Sequence, residues 1–364
     1  MMTMYNYHKN EDVTFNDIID EVLMFTAARA EGKTIENHEA RMFSLNEAIA
    51  RYAVQDAPRA AAKFEAEGLK CFKSPMVTKN QNVREAYNAI ISEVITAVMP
   101  AVSSKAYANY LAEVRQIGWG DTAVFRVKSN ELFKVNEIAE GVNRGVLQPI
   151  YDNEYTVNTK TTEIATSIDW YAVAAGVFDW GDFGYRAGKS FEGYVMLKII
   201  AAMTAATELM GPAYSAAGVD VDQWTTLVDR VSAANGGAAV YGIGTLAALN
   251  KVAPATVGYQ YQIGAEMVKD GYLDRYLGQR LIPIDQVMVP GTVNTTAQLA
   301  VPTNVIFVIA ADSFKPVKIV YEGNETVVEY IPEETTDKTY AIRIQTKIGV
   351  AAMVGSKFGT LTLN

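Results

Sequence analysis

The string GYRAGKSFEG, Gly184 to Gly193, sets Gly188, Lys189 and Ser190 in the order that ends a phosphate-binding loop. Such a loop needs four residues between its glycines, so that successive N–H groups curl around the phosphates. Phe183 stands at the required glycine position and Gly184 lies one residue too close, so the string reads as the start of a helix. A second string, AAVYGIGTLAAL, places Gly242, Gly244 and Ala247 on the relaxed dinucleotide fingerprint, with Glu266 at the spacing of a ribose-binding carboxylate. No run of alternating strands and helices surrounds it, and a tight strand-to-helix turn accounts for the glycines. His8 and His38 sit in polar surroundings outside any motif, and the carboxylates Glu333, Glu334 and Asp337 of IPEETTD suit an exposed turn. Phe178, Trp180, Phe183 and Tyr185 could stack bases, but no basic residues alternate with them in the way strand binding requires, so packing at the foot of a helix is expected. Cys71, the one cysteine, cannot build a Cys/His metal site with two histidines. There is no G-x-S-x-G elbow. The expectation is a chain without catalytic residues, metal or cofactor; a nicotinamide-dependent oxidoreductase built on Gly242 and Gly244 is the enzyme alternative.

The balance of residues points the same way. The chain has 364 residues, 49% of them hydrophobic and 20% charged, enough to bury a sizeable core. A net charge of −9 argues against a dedicated nucleic-acid binder, which needs a basic stripe to release counterions. The first residues, MMTMYNYHKNEDV, lack the apolar core of an export signal, and the apolar stretch Tyr194 to Ala206 is shorter than a membrane span and interrupted by Lys198. No membrane partner is expected.

The elements that would have to position any site change character along the chain. Helices dominate the first third. Thr14 with Asp17 predicts a cap before Phe15, Ile18, Ile19, Val22 and Leu23, with Gly32 as the stop. Ser44 with Glu47 and Asn82 with Glu85 predict two further capping boxes, the second opening a stripe from Val83 to Val98 that ends at Pro100. A fourth helix is expected over Lys105 to Ile117, ending at Gly118. From Thr122 the period turns to two: TAVFRVKSNELFKV, a polar stretch with Gly141, Gly145 and Pro149, and then some twenty alternating residues through Val173 predict a long β-hairpin. Strands of that length exceed the usual five or six residues, and little sequence remains to cover both faces. The hairpin is therefore expected to lie on a neighbouring subunit, with Val135, Asn136, Glu137, Arg144 and Gln148 as candidate inter-subunit residues. The longest helix candidate, Tyr185 to Met210, spans about 39 Å at 1.5 Å per residue. Its candidate core residues are Phe191, Val195, Ile199, Ile200 and Met203. Beyond Gly211 and Pro212, helices are expected at Val221 to Ala234, Gly244 to Val252 and Ala265 to Asp270. Strands are expected at Asn304 to Ala310, Val317 to Tyr321, Thr326 to Ile331 and Tyr340 to Val354.

This order of parts, together with TYAIRIQTKIGVAAMVGSKFGTLTL at the close and GYLDRYLGQRLIPIDQVMVP followed by NVIFVIAADSFKPVKIVYEG, resembles the major capsid proteins of tailed bacteriophages, the Hong Kong 97-like fold. The resemblance covers roughly Trp119 to Asn364. It implies an α+β subunit with a helical N-terminal arm region over 1–118, an extended loop over 119–173, a peripheral domain with a spine helix over 174–212 completed by 339–364, and an axial domain over 213–338. It further implies self-assembly through hexamers and pentamers into an icosahedral shell around double-stranded DNA held without sequence-specific contacts. Scaffolding, portal or decoration proteins would be partners, and the protein would reside in the virion after assembly in the host bacterial cytoplasm. Some members of the family crosslink a loop lysine to an asparagine; Lys128, Lys134, Lys160 and Asn364 are present, but no motif pairs them. A bacterial encapsulin nanocompartment is the alternative on the same fold.

Overall fold

The computed structural model describes residues 14–103, 110–128, 132–135, 137, 140, 152–218, 220–252, 272–311, 315–330, 339–355 and 357–363. Its helices are α1 (Phe15–Ala30), α2 (His38–Val54), α3 (Pro58–Glu67), α4 (Pro75–Thr78), α5 (Gln81–Ser103), α6 (Trp170–Ala174), α7 (Trp180–Met210), α8 (Val221–Ala234) and α9 (Leu246–Val252). The strands are β1 (Ala112–Ile117), β2 (Ala123–Lys128), β3 (Asp152–Val157), β4 (Lys160–Asp169), β5 (Ser215–Ala217) and β6 (Val240–Thr245). They continue as β7 (Arg275–Tyr276), β8 (Gln279–Ile284), β9 (Val305–Ala310), β10 (Val317–Tyr330), β11 (Thr339–Ala352) and β12 (Gly359–Thr362). The class is α+β. The chain divides into two compact units, the first made of residues 1–103, 160–191 and 322–348 and the second of 104–159, 192–321 and 349–364.

In the first unit Thr14 caps α1 as its residue type predicts: its side chain accepts the Asp17 N–H, and the Asp17 carboxylate accepts the Thr14 N–H at 3.0 Å. Gly32, at φ 66°, follows the helix, and the Lys33 N–H closes onto the Ala28 carbonyl at 2.9 Å. This left-handed stop is one that glycine makes without a Cβ clash. The other two caps differ from expectation. Helix α2 starts after Asn37, and Ser44 lies inside it, because the buried stripe already includes Met42 ahead of Leu45 and Ile49. Packing of that face outweighs the local cap. For α5 the cap is Asn80, whose Oδ1 accepts the N–H groups of Asn82 and Val83 at 2.9 and 3.4 Å. The helix also passes Pro100, which forgoes one helical hydrogen bond without ending it. The connector Lys73 to Asn82 contains α4, preceded by a 3-10 turn over Gly68–Lys73.

Helix α7 begins at Trp180 rather than Tyr185, where the Asp179 carboxylate accepts the Asp182 N–H at 2.9 Å. Its first turns belong to the first unit, and their glycines set the packing there. A Cβ on Gly181 would meet Phe25 Cβ at 2.7 Å and the Phe25 carbonyl carbon at 3.0 Å; one on Gly184 would meet Thr26 Oγ1 at 2.7 Å. Gly181→Ala is expected to destabilise the protein by about 1–3 kcal/mol, read as a lowered thermal midpoint, because backbone as well as side chain would have to give way. Asn46, 1% exposed, ties the aromatic foot of α7 to α2. Its amide donates to the carbonyls of Met42 and Phe178, both at 2.9 Å, and its oxygen accepts the Trp180 indole N–H at 3.1 Å. Phe178 packs against Trp180 at 4.8 Å between centroids and against Phe183 at 6.1 Å.

Strand β4 pairs antiparallel with β11, from Thr339 opposite Asp169 to Ile348 opposite Lys160. This corrects the long hairpin. The alternation through Val173 is interrupted at Asn158–Thr159, where the chain changes partner: β3 pairs with β2, whereas β4 joins β11. The expected fourth helix is also corrected, since Tyr110 and Leu111 are helical but Ala112–Ile117 is β1, a neighbour of β10 in the second unit. Pairing with β10 satisfies the backbone of a segment whose apolar residues fit either period.

The second unit holds a six-stranded sheet in the order β5-β12-β9-β6-β8-β7, with β6 parallel to β8 and antiparallel to β9. Trp224, Leu227 and Val231 of α8 and Leu249 and Val252 of α9 pack with Ile306, Val308 and Leu361 in its core. Helix α8 has the bounds expected, α9 starts at Leu246 rather than Gly244, and the two strands expected over 317–331 form the single strand β10. The helix expected over 265–270 and the carboxylates Glu333, Glu334 and Asp337 lie outside the described residues. The stretch Tyr194 to Ala206 is part of α7, which by length and a mean hydropathy of 1.3 could cross a membrane. Phe191, Val195, Ile199, Ile200 and Met203 along it are all buried inside the protein.

Candidate assembly surface

The strings that resemble nucleotide-binding motifs turn out to be packing devices. Gly188 faces Val98, whose Cγ1 a Cβ would meet at 2.6 Å, and the Ser190 hydroxyl donates to the Arg186 carbonyl at 2.9 Å. The Gly-Lys-Ser string is therefore inside α7, not at its start, and its backbone N–H groups belong to the helix rather than to an anion cradle. Gly242 and Gly244 lie on β6, where Cβ atoms would meet Leu281 at 2.6 Å and the Val305 carbonyl at 3.2 Å. The Thr245 hydroxyl then accepts the Ala248 N–H at 3.3 Å to open α9, which makes this the strand-to-helix turn expected. Glu266 and His8 lie outside the described residues. His38 packs edge-on to Phe25 at 5.4 Å. Cys71 is buried, which pushes its thiol up to about 11 and keeps it from being a thiolate.

Among the described residues, one surface with features suited to association is the β2–β3 ribbon and the segment after β2. The strands pair from Ala123 opposite Val157 to Lys128 opposite Asp152. Ala123, Phe125, Val127 and Val157 are buried with Val320 and Met353. The root of the ribbon is therefore held by its own subunit, and the expectation that neither face has cover holds only for the other side. There Val124 and Tyr155 are each 42% exposed, and Arg126 pairs with Glu154 at 2.8 Å. Past β2, Leu132 is 89% exposed, Phe133 59% and Val135 93%. Isolated exposed apolar side chains are ordinary, but three within four residues make a patch. Of the other expected contact residues, Glu137 is exposed, whereas Asn136, Arg144 and Gln148 lie outside the described residues. Leu132 and Phe133 were not expected as contacts; their alternation reads equally as strand, and only their exposure separates them.

A charged cluster at the ribbon's root was also missed. Lys318 of β10 is fully buried and donates to Glu113 of β1 at 2.5 Å; the Arg115 guanidinium pairs with the same carboxylate at 2.8 Å. Arg115 lies over the Phe125 ring at 4.1 Å and its Nη1 donates to the Val124 carbonyl at 3.2 Å, while Lys318 Nζ is 5.5 Å from the ring centre. Burial pushes the Glu113 carboxyl up, but hydrogen bonds and charge from Lys318 and Arg115 outweigh it and hold the group below the ordinary 4.5. Burial pushes the Lys318 ammonium down, with Glu113 offsetting part of that shift. The signal for Lys318 was a lysine inside the apolar run Val317–Val320.

Comparison with known proteins fits a self-associating structural role. The family described as "SPbeta prophage-derived putative capsid protein YonB" matches residues 15–362. The chain belongs to that family: it is a structural capsid protein, copies of which assemble into a shell, and a component of the virion. No curated protein sequence matches it. Among solved structures it is similar to the mature capsid of bacteriophage PhiM1, at 12% identity and a TM-score of 0.47 over 70% of this chain and 85% of that one. It is similar to the capsid of cyanophage P-SCSP1u at 13% identity and a TM-score of 0.46, over 70% and 87% of the two chains. Similarity to the virus-like particle from Pyrococcus furiosus is at 9% identity and a TM-score of 0.39, over 76% and 99%.

Proposed function

We propose that the chain is the major capsid protein of a tailed phage and that its β2–β3 ribbon is the element by which each copy holds the next. In this reading the subunit has a Hong Kong 97-like organisation: an arm region over 1–118, an extended loop that starts at 119 and ends with β3 at Val157 rather than at 173, since β4 pairs with β11, a peripheral domain over 174–212 and 339–364, and an axial domain over 213–338. Hexamers and pentamers close an icosahedral shell around double-stranded DNA in the bacterial cytoplasm, with scaffolding, portal or decoration proteins as further partners. The net charge of −9 supports a container that does not bind its DNA tightly.

The observation that carries the reading is the exposure of Leu132, Phe133 and Val135 next to a ribbon whose root is packed inside its own subunit. Burying such side chains on a neighbour contributes about 1.5–3 kcal/mol each, a gain that requires a second copy. The triple substitution Leu132→Ser, Phe133→Ser, Val135→Ser is expected to leave circular dichroism and thermal unfolding unchanged while light scattering shows shells reduced or absent. Normal shell yield from this variant would refute the ribbon's role.

A further inference from the structure

We infer that Glu113, Arg115 and Lys318 are positioning residues that fix the root of the β2–β3 ribbon, holding the Phe125 ring against two cations joined to one carboxylate. Lys318 and Val320 are two apart on β10 and so share a face. Val320 is packed there with Ala123, Phe125, Val127 and Val157, so Lys318 is buried under the ribbon's first strand. A buried lysine is costly where a methionine would not be, and the pair it makes restricts geometry more than an apolar contact of the same volume does. Both ends of that geometry are satisfied. Lys318 Nζ reaches Glu113, and Arg115 reaches Glu113, the ring of Phe125 and the carbonyl of Val124. One side chain thus holds the ring and the backbone of β2 together, and a cation over an aromatic face is a directional contact. Lys315 is a further cation near the site, so the Glu113 carboxylate offsets like charge that would otherwise push the strands apart. The inference concerns the ribbon's anchorage within one subunit; what the ribbon then does in a shell rests on the function proposed above.

Hydrogen exchange on the full chain in its soluble, unassembled form tests this. Two variants are compared with the parent: Glu113→Gln, which removes the shared charge, and Arg115→Met, which keeps the aliphatic stem on a half-exposed side chain and so leaves folding intact. In both, amides of β2 and β3 are expected to exchange at least about tenfold faster, while those of β6 and β9 keep the parent's protection. An ordinary surface substitution shifts stability by at most about 0.5 kcal/mol, roughly a twofold change in exchange. A change within twofold at β2 and β3 for Arg115→Met would overturn the inference, as would acceleration spread equally into β6 and β9 for Glu113→Gln. If the ribbon loosens and shells still close normally, the anchorage stands and the ribbon's role in assembly is what fails.

Discussion

Ile199→Asp is expected to leave no folded subunit. Ile199 is fully buried on α7 among Val195, Met196 and Met203, all at or below 1% exposure. A carboxylate there has no cation on the neighbouring turns to pair with except Lys198, which is exposed. The charge would have to be neutralised or carried unpaired, on top of the lost packing, at a cost of several kcal/mol. That is comparable with the whole stability of an ordinary domain. Expression should yield insoluble or protease-sensitive protein. A soluble variant with a cooperative melt near that of the parent would show that this face of α7 is not core.

The second large effect separates folding from assembly. Lys128 is paired directly with Asp152, so a two-residue Asn-Gly turn in place of residues 129–151 can join β2 to β3 without changing their register. The buried residues Ala123, Phe125, Val127 and Val157 all remain. The shortened chain should therefore be soluble and melt within a few degrees of the parent. It loses Leu132, Phe133 and Val135, and with them about 5 kcal/mol or more of inter-subunit burial per contact by the transfer value of each side chain. A shell multiplies that deficit over every contact, so closure should fail outright. Aggregation like that of Ile199→Asp would instead mean that the removed segment belongs to the subunit's own core.

Acid should weaken the second unit through Glu113. A carboxyl whose folded pKa lies below its unfolded value contributes stability that is present above the ordinary 4.5 and lost as the pH falls through the lower folded value. Urea midpoints measured from pH 6 downward should fall more steeply in the parent than in Glu113→Gln, which starts less stable but has lost this titration.

Much of this was legible where local and tertiary preferences agree. Thr14 and Gly32 bracket α1 because cap, stripe and stop coincide, and the apolar spacing of Trp224, Leu227, Val228 and Val231 marks α8 in the same way. Ser44 and Asn82 misled because a cap sequence states where a helix can begin, while Met42 and Asn80 show where burial and a better-placed acceptor make it begin. The change of partner at Asn158 was not legible, since alternation of period two is the same whichever strand lies alongside. Its structural trace is Gly349, where a Cβ would come within 2.8 Å of the Asn158 carbonyl. The glycines of Gly-Lys-Ser and Gly-Ile-Gly were visible but ambiguous, because close approach of a side chain and close approach of a phosphate both require a missing Cβ.

Negative-stain or cryo-electron microscopy of the purified full chain, over a range of protein and salt concentrations and with candidate scaffolding protein added, is the most direct test of the structural capsid role. Closed shells, or rings of five and six subunits and tubes built from them, are the expected result. A particle that stays monomeric under every one of those conditions, with its fold intact by circular dichroism, would contradict it.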